Sequence, residues 1–257
     1  MPRKVLITGA SSGIGLALAR RLAAGGDAVW LAARRAELLE SEASALRAAG
    51  HEAHVLALDV ADHDATQQAV AALDDAIGGI DVLVANAGVG SSPTPGAELT
   101  FATAKRTIDV NLLGALATIL PVVPRMVARG RGHIVGVSSL AAEVPLPAAI
   151  DYGTSKAALT FFLESLGADI RPKGVAVTAV HPGFVRTAIT DKNRFDMPFL
   201  MEVEVAAEAI ARGIAKRARI VRFPLPMSIA TVGSKVMPRA LRDALVNANR
   251  PKSSRGD

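Results

Sequence analysis

The chain has 257 residues and no cysteine. Disulfides, thiolate nucleophiles and cysteine-ligated zinc are therefore excluded, and the redox compartment is left open. Histidine is scarce: there are five, none at H-x-x-x-H spacing, so no metal site is expected. Aromatic residues make up 4% of the chain, with one tryptophan and one tyrosine. No basic stripe is interleaved with aromatics, so no nucleic-acid partner is expected. Neither sign of charge dominates; the net +5 suits an anionic ligand or simply serves solubility. Long apolar runs are also missing. Residues 112–123 read LLGALATILPVV, too short to span a bilayer and interrupted by Pro121 and Pro124. They read as a buried or subunit-contacting helix. The opening residues MPRKVLITG enter a strand at once, so no signal peptide is expected and the cytoplasm is the expected compartment.

What is present is a soluble, slightly apolar balance, 50% hydrophobic and 21% charged, arranged in alternation. Short β-rich apolar runs predict strands at 4–8, 28–33, 53–58, 81–85, 133–137, 175–180 and 219–222. Alanine-rich helical patterns predict helices at 14–24, 37–49, 64–77, 101–127, 152–170 and 203–217. Near-continuous apolar strands alternating with helices mean a parallel sheet covered on both faces. The expected fold is α/β: a single-domain, doubly wound Rossmann fold of about seven mostly parallel strands. Residues 1–222 carry the series, and 223–257 read as a C-terminal extension of the same domain. The loops 88–99, 140–150 and 187–202 follow strand C-terminal ends, the edge where open α/β sheets bind ligands.

The first strand–helix junction reads Thr8-Gly-Ala-Ser-Ser-Gly-Ile-Gly15. Gly9 allows a tight turn, Gly13 a close backbone approach to a pyrophosphate, and Gly15 close packing of helix on strand. The helix N-terminus offers N–H groups and a positive dipole end to phosphates. Ser11 and Ser12 lie in the same turn. This T-G-x-x-x-G-x-G spacing resembles the short-chain dehydrogenase/reductase family. Further matches follow in order: Asp59-Val60, Asn86-Ala87-Gly88, Asn111, Ser139, Tyr152-Gly-Thr-Ser-Lys156 and Pro182-Gly183.

Enzymes that use NAD usually end the second strand with an acid that binds the adenosine ribose. Here Ala33 stands in that place, followed by Arg34 and Arg35. A guanidinium can hold a 2′-phosphate where a carboxylate would repel it. In the family, an arginine at this point resembles an NADP(H) signature, so NADP(H) is the expected cofactor, with most weight on Arg34. The resemblance also implies that Asp59 contacts the adenine with Val60 beside the ring. It further implies that the backbone of Asn86, Ala87 and Gly88 borders the ribose, and that Asn86 ties neighbouring strands together. A turn or N-cap role for Asp59 stays open.

Tyr152 and Lys156 are four apart at a helix start, on one face. Reducing a carbonyl with hydride makes an alkoxide that needs a proton. A tyrosine of pKa about 10 exchanges protons more readily when an ammonium lies near. Lys156 therefore has two implied tasks, tuning Tyr152 and hydrogen-bonding the nicotinamide ribose. Ser139, thirteen residues before Tyr152, would donate a hydrogen bond to the substrate oxygen. Its neighbour Ser138 is the alternative, and the thirteen-residue spacing favours Ser139. By resemblance, Asn111 holds a relay water, Ile14 sits against the nicotinamide, and Val185 and Thr187 hold its carboxamide after the Pro182-Gly183 turn.

The substrate pocket is expected from Val144, Leu146, Pro147, Ile150, Phe184, Phe195, Met197 and Phe199, with Leu200. An apolar lining suggests a ketone or aldehyde with a hydrophobic body. Glu143 and Arg194 could read a polar group of the substrate, but surface roles are favoured. By resemblance the chain forms a homodimer or homotetramer through the helices after Phe101 and Tyr152, and Gly114, Ala115 and Ala117 would let helices approach closely, though core packing explains these residues equally well. The tail 223–246 is apolar, proline-punctuated and flanked by bases. Membrane-surface contact is possible but packing is favoured, because the helix after Pro238 has a narrow apolar face, Leu241 and Leu245. Residues 251–257 are expected to be disordered. A non-catalytic dinucleotide sensor, or a membrane-surface enzyme acting on a lipid-like ketone, stay open as other readings.

Overall fold

A computed structural model describes residues 2–90, 94–188, 190 and 197–238, without the side chains of 235–236. Strands β1 (Lys4–Thr8), β2 (Ala28–Ala33), β3 (Ala53–Ala57), β4 (Val82–Ala85), β5 (Gly132–Val137), β6 (Val175–Pro182) and β7 (Ile220–Phe223) form one sheet. Its order is β3-β2-β1-β4-β5-β6-β7, and every pairing is parallel. The order reverses between β1 and β4. That is the topological switch point, where the crevice outside the strand ends takes a ligand.

The strands are apolar on both faces because helices cover both. Val5, Ile7, Leu31 and Val84 join one core with α1 (Gly13–Ala24), α2 (Ala36–Ala48) and α8 (Val203–Ala215). Leu6, Leu83 and Ile134 face the other core, built with α3 (His63–Ala76), α5 (Gly114–Ile119), α6 (Val123–Arg129) and α7 (Ile150–Ile170). Each fully buried leucine here is worth roughly 2–5 kcal/mol against alanine. Between strand and helix there is no slack: a Cβ on Gly136 would lie 2.3 Å from Leu163 Cδ1.

The stretch expected as one helix from 101 to 127 is broken. It runs as α4 (Phe101–Ile108), a π-helical turn (Asp109–Leu113), α5, a short turn and α6. Pro121 lies in that short turn and Pro124 in the first turn of α6, where a missing N–H costs nothing. By length and composition Phe101–Arg129 could cross a membrane, but it is packed against the sheet and buries Thr107, Asn111 and Thr118. Gly114, Ala115 and Ala117 serve core packing: a Cβ on Gly114 would meet Val60 O at 2.7 Å, and both alanines are buried.

The last strand ends at Phe223, one residue into the expected extension. The extension then forms α9 (Leu225–Val236), a helix the proline-rich sequence concealed. Its prolines sit at the N-cap and first turn, the positions a helix tolerates. The helix expected after Pro238 lies outside the described residues.

One buried ion pair locks the end of α3. Asp74 accepts from Arg129 at 2.7 and 3.1 Å and from the Ile80 N–H at 2.7 Å. Burial pushes its carboxyl up, but these bonds outweigh that and hold it below its ordinary range. Asp74→Ala leaves Arg129 without its partner, so a loss of about 3–5 kcal/mol is expected from urea unfolding. At the opposite edge from the crevice, Arg3, Lys4, Arg131, His133 and Arg217 line a cavity of about 580 Å³. Burial, then Arg217, Arg171 and Arg3, push His133 down to about 4. The unfolded chain therefore binds a proton there at higher pH than the folded one. Stability should fall as pH drops from about 6.5 towards about 4. In His133→Gln the urea midpoint should lose less between pH 7 and pH 5; an equal loss would refute this assignment.

Candidate active site

Thr8, the last residue of β1, organises the crevice floor. Its hydroxyl accepts from the N–H groups of Asn86 and Ala87 at 3.1 and 3.2 Å, and Asn86 Nδ2 donates to Thr8 O at 2.9 Å. Asn86 thus ties β4 to β1. Gly9 and Gly13 have φ of +68° and +56°, conformations that L side chains rarely adopt. A Cβ on Gly15 would come within 2.5 Å of Asn86 Nδ2 and of Gly9 O. The turn leads into α1, whose N-cap Ser12 makes no side-chain cap bond. By contrast, Asp62 caps α3 and Thr100 caps α4. A bare helix start beside a glycine cradle fits a pyrophosphate.

At the end of β2, Ala33 is partly buried. Arg35 Nη2 donates to Ser11 Oγ at 3.1 Å, across to the glycine turn. Arg34 Nη1 lies 3.8 Å from Asp59 Oδ2, both side chains well exposed. Asp59 Oδ1 also accepts from the Ala61 N–H at 3.0 Å, so it closes a turn. Val60 is buried against Gly114. The residues present fit an anionic dinucleotide bearing an extra phosphate, and Arg35 is as well placed as Arg34.

Tyr152, Lys156, Ser139 and Asn111 converge further along the same edge. The Ser139 hydroxyl lies close enough to the Tyr152 phenol to influence its titration. Ser138 is turned the other way: its hydroxyl donates to Lys156 O at 2.9 Å and meets Thr160 Oγ1 at 2.7 Å. Lys156 Nζ donates to Val137 O at 2.8 Å and lies 5.9 Å from the Tyr152 ring centre. Asn111 is fully buried. Its amide accepts from the Val89 N–H at 2.7 Å and donates to Val89 O and to Ser155 Oγ. The π-helical turn at Asp109–Leu113 is what aims it there, as such turns do at functional sites. Ser155 in turn donates to Tyr152 O at 2.7 Å; sequence reasoning did not single it out.

Burial pulls Lys156 down to about 8. Burial pushes the Tyr152 phenol above its ordinary value, and the neighbouring Ser139 hydroxyl pulls against it. Lys156 was expected to lower the phenol; burial dominates instead.

Pro182 ends β6, and the Gly183 N–H donates to Phe223 O at 2.7 Å. Val185 is buried, and its carbonyl accepts from Thr190 Oγ1 at 2.6 Å. Thr187 Cγ2 lies 3.2 Å from where a Cβ on Gly13 would stand, so the two ends of the crevice meet there. Ile14 packs onto the core beside it. Of the expected pocket residues, Val144, Pro147, Phe184 and Met197 are partly buried, whereas Leu146, Ile150 and Phe199 are exposed. Ile150 Cδ1 reaches the loop after β4, 3.3 Å from a Cβ on Gly96. Phe195 and Arg194 lie outside the described residues.

Glu143 is not a surface residue. Its side chain is 2% exposed, with Arg222 Nε 2.7 Å and His181 Nδ1 3.0 Å from Oε1. A charge within the apolar run LAAEVPLP, and a histidine directly before Pro182-Gly183, were the only signals of this cluster.

The family model for short chain dehydrogenases matches residues 3–198. The chain belongs to the short-chain dehydrogenase family. An uncharacterized oxidoreductase of Myxococcus xanthus is 45% identical over 242 residues, 94% of this short-chain dehydrogenase and 95% of the relative. Serine 3-dehydrogenase of Agrobacterium fabrum is 38% identical over 190 residues, 74% and 75% of the two chains. The solved short-chain dehydrogenase from Sphingobium yanoikuyae in complex with NADPH superposes with a TM-score of 0.82 at 30% identity, over 100% of this chain and 99% of that one. The protein is an oxidoreductase acting on a small molecule.

Proposed function

We propose that this short-chain dehydrogenase is NADP(H)-dependent and interconverts a carbonyl and an alcohol on a substrate with an apolar body. The observation that carries the reading is the convergence of the Ser139 hydroxyl and Lys156 on Tyr152, with Lys156 buried and 5.9 Å from the ring centre. When bound, NADP(H) supplies or accepts the hydride. Tyr152 gives its proton to the carbonyl oxygen in reduction and takes it back in oxidation. Ser139 donates a hydrogen bond to that oxygen and steadies the developing charge. Lys156, protonated below about 8, supports the phenolate that Tyr152 becomes. Asn111 holds the backbone of Val89 and, through Ser155, the start of α7. The glycine turn and the α1 N-terminus bind the pyrophosphate; Arg34, Arg35 and Ser11 bind the 2′-phosphate.

Leu146, Phe184 and Phe199 support an apolar substrate body over an amino acid, although the Agrobacterium relative is named for serine. The test is NADPH oxidation with a panel of aliphatic and aromatic aldehydes and ketones, and NADP reduction with L-serine. Turnover with serine and none with the carbonyl panel would overturn the apolar reading. In reduction, Lys156 must keep its proton, so kcat/KM should be level near pH 7 and fall as pH passes about 8. A rate that rises through that range would contradict the assignment. Phe101 and Phe161 are 84% and 75% exposed on α4 and α7, which supports a homo-oligomer through these helices.

A further inference from the structure

The cluster of Glu143, His181 and Arg222 brings together three separate parts of the active-site edge. Glu143 stands at the C-terminal end of the short 3-10 turn Leu140–Ala142 that follows Ser139. His181 is on β6, directly before Pro182. Arg222 is on β7. A single carboxylate oxygen, Glu143 Oε1, receives Arg222 Nε at 2.7 Å and faces His181 Nδ1 at 3.0 Å. The same Nδ1 lies 3.3 Å from Ser139 O. A backbone carbonyl and an ionised carboxylate only accept, so Nδ1 carries the proton and the ring has one orientation. Pro182 O, one residue on, lies 3.5 Å from the Ser139 hydroxyl. The cluster thus meets the chain just after Ser139 and the residue just before the Pro182-Gly183 turn.

We propose that Glu143 is a positioning residue for the reaction: its buried carboxylate, held by Arg222 and set against His181, fixes the segment that presents the Ser139 hydroxyl. This rests on the reading that Ser139 holds the reacting oxygen. A buried ion pair is weak support for stability, since apolar residues of like volume often replace it without loss. A catalytic group displaced by a fraction of an ångström to an ångström loses rate steeply. The pair's value therefore lies in where it holds the serine.

Three variants test this: Glu143→Gln, the doubly neutral Glu143→Leu/Arg222→Met, and Ser139→Ala as control. With the best carbonyl substrate of the panel, Glu143→Gln should lower kcat about 10- to 100-fold, with KM and the NADPH Kd little changed. The double variant should regain urea stability but not kcat. Amide exchange in the peptide 138–143 should quicken roughly tenfold in both, with exchange in α1 unaltered. That readout needs no substrate. The proposal is overturned if exchange there is unchanged. It is also overturned if the double variant recovers kcat with stability, or if Glu143→Gln keeps full kcat while Ser139→Ala is inactive. Full activity in Ser139→Ala would instead remove the reading of the site on which the proposal stands.

Discussion

Tyr152→Phe should lower kcat by about 10²- to 10⁴-fold while NADPH still binds. The ring stays, so the packing of the crevice wall is kept. Only the hydroxyl beside Ser139 is lost. No other phenol can substitute, because Tyr152 is the chain's only tyrosine. That singularity also permits a direct measurement. Ultraviolet titration of the unfragmented protein reports on one phenol, and Tyr152→Phe supplies the blank. Burial is the dominant influence, so the midpoint should lie above about 10. A midpoint below that, or a Phe variant that turns over at the wild-type rate, would remove Tyr152 from the role of proton donor.

The second large effect concerns the cofactor. Arg34→Ala and Arg35→Ala should each weaken NADPH binding about 10- to 100-fold, as expected for losing a charge-assisted bond to phosphate. NADH binding should barely change, since it has no 2′-phosphate. The Arg34–Asp59 contact is long and exposed. Such a pair is worth little, so turning Arg34 from Asp59 to a phosphate costs little. Arg35 is already bonded to Ser11 on the glycine turn, which gives it an equal claim. Fluorescence titration with both nucleotides decides the matter. If NADH binds the wild-type protein as tightly as NADPH, and neither substitution changes either affinity, the 2′-phosphate assignment is wrong.

Much of the fold was legible in the chain because its signals are local. Strand and helix periods follow from neighbouring residues, and the left-handed turn at Gly9 and Gly13 is written in two glycines. Tyr152 and Lys156 were legible for the same reason: a four-residue step on a helix places both on one face. The errors came where local signals mislead. Pro224 and Pro226 hid the helix α9, although they sit where a helix accepts proline. The long apolar run after Phe101 suggested one helix, yet a π-helical turn interrupts it. Gly114, Ala115 and Ala117 fitted a subunit contact and core packing equally well, and only the tertiary structure shows them buried.

By itself, then, the sequence determined the doubly wound architecture, the phosphate turn and the pair Tyr152 and Lys156, since each depends on spacing within a few residues. Tertiary structure decided what distant charges do. Glu143 and Arg222, 79 residues apart, look like two solvated charges, one in a loop and one at the end of the last strand. Only when β6 and β7 lie side by side does one carboxylate meet both His181 and a guanidinium. An isolated charge prefers water, and burial is tolerable only with a partner that folding itself must deliver.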